Sequence, residues 1–137
     1  MMNKRLYYIL NLTWGLPMTL VGALAAAALL AAGKRPARHG GSLYFTAGSG
    51  WGGVSLGLFF IVQKDPPERL KDHEFGHSVQ NAFFGPFMPF IVSLPSLARY
   101  WLRRVRAAAG LSNPPYDSVW FEGRATELGQ KALSLWS

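Results

Sequence analysis

His73-Glu74-Phe75-Gly76-His77 sets two imidazoles four residues apart with a carboxylate beside the first. On an α-helix, residues i and i+4 share a face, so both imidazoles can bind one Zn²⁺. Glu74 is one residue, or about 100° around the helix, from His73. It stands beside the ion instead of ligating it, where a base for metal-activated water belongs. With three histidines and four glutamates in 137 residues, the pattern arises by chance in well under about 1% of shuffled chains. The competing reading is a pair of ordinary core or surface histidines, and the helical context of the motif counts against it.

A catalytic zinc takes a third protein ligand and keeps one position open. The chain has no cysteine, and His39, its only other histidine, sits in the glycine-rich basic stretch GKRPARHGG. Carboxylates downstream of the motif remain: Asp117, Glu122 and Glu127. Glu122 is preferred, inside the helical stretch WFEGRATELG. Its i+3 neighbour Ala125 is small enough for two helices to close on each other. Its i+4 neighbour Thr126 offers a hydroxyl that can hold a ligand imidazole from behind. Glu127 lies about 140° around the helix from Glu122 and ranks second; Asp117 ranks third.

These residues need elements to position them. Lys64-Asp65-Pro66-Pro67-Glu68 is a helix start: Asp65 is the expected N-cap, Pro66 the first helical residue, and Glu68 stands three after the cap. The motif helix should run to about Phe84 and stop at Gly85. Before it, Ser42–Ala47 and Val54–Gln63 are rich in β-branched and aromatic residues. They are expected as two strands of a small β-hairpin around the glycine-rich GSGWGG turn. A last helix is expected from about Asp117 to Leu135.

The rest of the chain points to a membrane. Half of the residues are hydrophobic and 15% are charged, which excludes a disordered charged tail. No charged side chain occurs between Leu6 and Ala32, a run longer than the roughly 20 residues that cross a bilayer. It also exceeds the core of a signal peptide. Residues 1–33 are therefore expected as an N-terminal transmembrane helix and 34–137 as one domain. Phe83–Ala98 is apolar but carries Pro86, Pro89 and Pro95, so it is expected to lie in the interface or re-enter from one side. Arg99, Arg103, Arg104 and Arg106 would then sit at headgroup level. The net charge of +7 fits anionic lipid, and no nucleic-acid-binding motif is present. If the arginines share a side with Lys34, the domain is cytoplasmic.

HExxH with a downstream ExxA helix resembles the gluzincin group of zinc metallopeptidases, which includes the membrane-bound CAAX-processing and HtpX-like enzymes. More closely, HEFGHSVQNAFFGPFMPFIVSLPS with PYDSVWFEGRAT is similar to small bacterial integral membrane proteins. The gluzincin resemblance covers the two helices and the preceding strand; the closer one covers most of the chain. The gluzincin resemblance implies zinc held by His73, His77 and Glu122, with Glu74 as the base. Those peptidases usually carry Asp four residues after the ligand Glu, where this chain has Thr126. They also place a histidine to stabilise the oxyanion; Tyr116 and Arg124 are the nearby substitutes. Their edge strand binds extended substrate; Leu56–Val62 either takes that role here or only covers the apolar face of the motif helix.

The expectation is thus an α+β membrane protein: a transmembrane helix, a small β-hairpin, and a two-helix zinc-binding core with a proline-broken interfacial segment. The function that follows is a bacterial cell-membrane zinc metallopeptidase acting on a peptide or membrane-protein substrate. The alternative class is a catalytically degenerate membrane adaptor that keeps the core as a binding module.

Overall fold

Glycine and proline positions decide where this chain breaks into elements. A computed structural model describes residues 2–113 and 120–136 and shows an α+β architecture. The order is α1 (Lys4–Leu12), α2 (Leu16–Ala31), β1 (Ala37–His39), β2 (Ser42–Thr46), β3 (Gly53–Leu56), β4 (Phe59–Val62), α3 (Glu68–Phe84), α4 (Leu94–Ala108) and α5 (Trp120–Trp136).

The N-terminal segment is not the single helix expected. It bends by 85° between α1 and α2, and no single helix among the described residues is long and apolar enough to cross a membrane. Two bent pairs, α1 with α2 and α3 with the segment ending in α4, meet the test together by length and composition. The first break has a local cause. Pro17 has no N–H to continue the ladder, and its ring excludes the carbonyl four residues earlier. The break also has a tertiary cause, because an uncharged run is not a wholly apolar one. The Tyr7 hydroxyl is buried against Ser42 Oγ (2.9 Å) and Ser78 Oγ (2.7 Å). Asn11 Nδ2 donates to the Ser78 carbonyl, and Asn81 Nδ2 donates to Asn11 Oδ1 (2.6 Å). These bonds fix α1 on α3, and Tyr7 joins Phe60, Val62, Phe75 and Val79 in the main core.

The sheet has four strands in the order β1-β2-β4-β3. The two expected strands do not form one hairpin. Val54–Gln63 folds back on itself at Gly57, whose φ of +68° suits a tight turn, and becomes the antiparallel pair β3–β4. The basic linker contributes β1, antiparallel to β2. β2 and β4 then pair in parallel, Leu43 opposite Phe59 and Thr46 opposite Val62. β4 is therefore internal, and β1 and β3 are the two edge strands, β3 being the one beside β4.

α3 ends at Phe84 with Gly85 in the left-handed region (φ +58°), as expected. Its start differs: Pro67 is the N-cap, and Asp65 lies before it in a left-handed turn (φ +53°). Consecutive prolines hold the chain extended up to the first helical turn, because each disfavours α geometry in the residue before it. The proline-rich stretch after α3 is more helical than expected. A 3₁₀ turn (Gly85–Phe87), a π turn (Pro89–Ser93) and α4 follow one another. Pro86, Pro89 and Pro95 each fall in the first two positions of one of these pieces, where a missing N–H costs no helical bond. The stretch Pro89–Ala108 turns back from Glu68–Phe87 by 116°.

Candidate metal centre

α3 and α5 cross with almost no side chain between them. A Cβ placed on Gly76 would overlap the Ala125 carbonyl, and one placed on Gly129 would overlap the Asp72 carbonyl. Glycine at these two positions, with Ala125 fully buried, brings the backbones together. Glu122, three residues before Ala125, is thereby delivered to the motif.

His73, His77 and Glu122 are all buried, and one ligand atom from each lies within 4.8 Å of the others. His73 Nε2 is 2.9 Å from Glu122 Oε2, and His77 Nε2 is 3.6 Å from Glu122 Oε1. The imidazole planes stand at 86° to each other. Each of the three residues is also held from behind. His73 Nδ1 is 2.8 Å from Thr126 Oγ1. Ser96 Oγ donates to Glu122 Oε1 at 2.7 Å. Gln80 Nε2 donates to the Phe121 carbonyl (2.7 Å), which turns its Oε1 toward His77 Nδ1 at 2.8 Å. The Gln80 oxygen accepts from His77 Nδ1–H, which leaves Nε2 as the ring atom turned to Glu122, the one that would ligate a metal on losing its proton.

Electrostatics match this arrangement. Burial alone would raise the Glu122 carboxyl, but the hydrogen bond with His73, the closeness of His77 and the hydrogen bond from Ser96 outweigh it and hold the group far below the usual carboxylate range. Burial pushes Glu74 upward, against the pull of His77 and His73. Glu74 Oε2 is buried and has no hydrogen-bond partner among the described residues. An orphaned carboxylate oxygen beside three convergent donors is what a site shared by a metal ion and a water molecule requires. The residues present fit such an ion.

The structure thus gathers His73, His77, Glu122 and Glu74, with Thr126 behind His73 as the i+4 spacing anticipated. Arg124 is not in the group. Two residues past Glu122 it lies about 200° around α5, and its exposed guanidinium pairs with Glu127 at 3.3 Å. Glu127 is turned outward with it. His39 pairs with Asp72 instead, at 2.9 Å. Tyr116 and Asp117 lie outside the described residues. The substrate-edge expectation moves: β4 is paired on both sides, so the free edge beside it belongs to β3. A Cβ on Gly53 would stand 3.1 Å from Glu74 Cγ, which puts β3 alongside that carboxylate.

Sequence reasoning missed Gln80, Ser96 and Tyr100. Gln80 had a signal, being a polar residue one turn past His77 on the helix. Ser96 and Tyr100 arrive from α4 through the 116° turn, which no local pattern announces. No family model, no curated protein and no solved structure matches this chain.

Proposed function

We propose that this protein is a membrane-associated zinc metallopeptidase that hydrolyses peptide bonds close to the bilayer. The observation that carries the reading is the buried convergence of His73, His77 and Glu122 beside the unpartnered Glu74 Oε2. Two imidazoles and one carboxylate are the donor set of a catalytic zinc, and the three would hold the ion. When bound, it supplies Lewis-acid activation of a water molecule and of the scissile carbonyl.

The chain's own groups do the remaining work. Glu74 takes the proton of the attacking water at Oε2 and passes it to the leaving amine. Thr126 and Gln80 keep the imidazoles in ligating orientation, and Ser96 holds the Glu122 carboxylate. The free edge of β3 offers backbone N–H and C=O groups to an extended peptide, beside Glu74.

Membrane association is supported by the outer faces of two elements. Leu20, Val21 and Leu24 of α2 are exposed, and so are Phe90, Trp101 and Leu102 in and before α4. Apolar side chains in such number on a small surface belong against lipid or protein. Arg99 and Arg106 of α4 accompany them, cations of the kind that lipid headgroups attract.

Protein purified in detergent should hold one zinc per chain and hydrolyse a denatured protein substrate. Glu74→Gln should keep the zinc and lose hydrolysis, because an amide takes no proton from water. Turnover that survives this change intact would refute the mechanism. Zinc held by a wild-type protein without turnover would assign the chain to the adaptor class.

A further inference from the structure

Two cavities meet at Glu74, and they are chemically unlike. Trp51, Gly53 and Tyr100 border both, so the two adjoin beside the metal centre, and a peptide lying along β3 would reach from one lobe to the other. The larger lobe, about 820 Å³, reaches His73 and carries Arg69, Arg103 and Arg104; Glu74 is its only carboxylate among the described residues. The smaller, about 310 Å³, reaches His77 and is walled by Met18, Leu56, Met88, Val92, Leu94 and Leu97. No lysine or arginine among the described residues lines it. Arg104 is fixed at the junction, its guanidinium 5.5 Å from the centre of the Tyr100 ring and bonded to the Tyr100 hydroxyl.

β3 gives the cleft a direction. Its approach, Gly50–Gly53, borders the basic lobe, and Val54–Leu56 borders the apolar one. Antiparallel strand pairing is commoner and slightly more stable than parallel. A peptide paired so on β3 lays its N-terminal residues in the apolar lobe and its C-terminal residues among the arginines. Glu74 stands between. Leu94 and Leu97 wall the apolar lobe and are also 55% and 52% exposed, so that lobe reaches the surface at α4.

We infer that the substrate is a segment with apolar side chains before the scissile bond and acidic side chains, Asp and Glu, after it. The inference rests on the peptidase reading for the cleavage, though not for the polarity of the cleft. Carboxylates in the larger lobe meet cations, whereas lysines there meet like charge.

The test uses the Glu74→Gln protein in detergent, titrated by fluorescence anisotropy with three labelled peptides. One carries leucines and valines followed by aspartates and glutamates. The second replaces the acids with lysines, and the third reverses the order of the two halves. The apolar-then-acidic peptide should bind at least about tenfold tighter than either of the others. Raising the salt from about 0.05 to about 0.5 M should shrink its advantage over the lysine peptide. Arg69→Glu with Arg103→Glu should invert that preference. Arg69→Gln with Arg103→Gln, a gentler change should the first pair fail to fold, should erase it. Equal binding of all three peptides, or binding of none, overturns the inference. Selective binding of a peptide that wild-type protein leaves intact overturns the peptidase reading and supports the polarity of the cleft.

Discussion

Gly76→Ala tests whether the metal centre depends on the closeness of α3 and α5. The added methyl would overlap the Ala125 carbonyl on the facing helix. Backbone cannot rotate away as a side chain can, so the helices must part by about 1.5 to 2 Å to restore ordinary contact. Metal–ligand distances tolerate only about 0.2 Å. Glu122 rides on α5 and His73 and His77 on α3, so the separation acts almost directly on the ligand set. Overpacking costs about 1–3 kcal/mol, and replacing glycine with alanine inside a helix returns about 1 kcal/mol. A clash with backbone falls at the upper end of that range or beyond it, so the net destabilisation is about 2 kcal/mol or more, within the total of about 5–15 kcal/mol for a domain. The expected result is a folded protein whose zinc affinity falls by at least about 100-fold. Competition against a chromophoric chelator reads the affinity, and far-ultraviolet circular dichroism reads the helix content. Arg124→Ala, on the exposed face of α5, is the control and should leave both unchanged. Wild-type zinc affinity in a folded Gly76→Ala protein would show that the helices are not held at the separation described and would refute the reasoning.

Three other outcomes follow from the same geometry. Thr126→Val and Gln80→Leu each remove the group that fixes a ligand imidazole, and each should weaken zinc binding by about 10- to 100-fold; affinity unchanged in both would count against their role. Tyr7→Phe deletes a hydroxyl bonded to Ser42 and Ser78, and chemical denaturation should show a loss of about 1–3 kcal/mol, with zinc stoichiometry preserved; a loss near zero would mean that α1 is not locked on α3 by this network. Single cysteines at Lys64 and Ser112 flank the bent segment from α3 to α4 and should react with an impermeant reagent from the same side of sealed vesicles; reaction from opposite sides would make that segment a true span.

What could be read from the sequence is what a short stretch of helix decides alone. His73 and His77 share a face because of spacing, and Thr126 follows Glu122 onto the same face for the same reason. The stop at Gly85 needed only a glycine able to take a positive φ before Pro86. The sheet order was not legible in this way. Pairing β2 with β4 in parallel joins segments separated by another strand, and nothing in SLYFT or FFIV distinguishes a parallel partner from an antiparallel one. The N-terminal run misled for a related reason. Absence of charge points to one unbroken helix, yet Tyr7 and Asn11 spend their polarity on partners 67 to 71 residues away, on α3, and the run bends.

Gly76 shows where the two kinds of information meet. The motif HExxH leaves its two middle positions open, so chemistry alone places no demand on residue 76. Packing does: of the side chains available, only a hydrogen atom lets the Ala125 carbonyl approach this close to α3. Gly129 makes the reciprocal demand from α5 against Asp72, the residue just before the motif. The spacing of the histidines thus specifies two ligands, and the glycines specify the third, because they set the distance at which Glu122 arrives. A chain with the same HExxH and Glu122 but bulky residues at 76 and 129 would carry every ligand and hold them too far apart to share one ion.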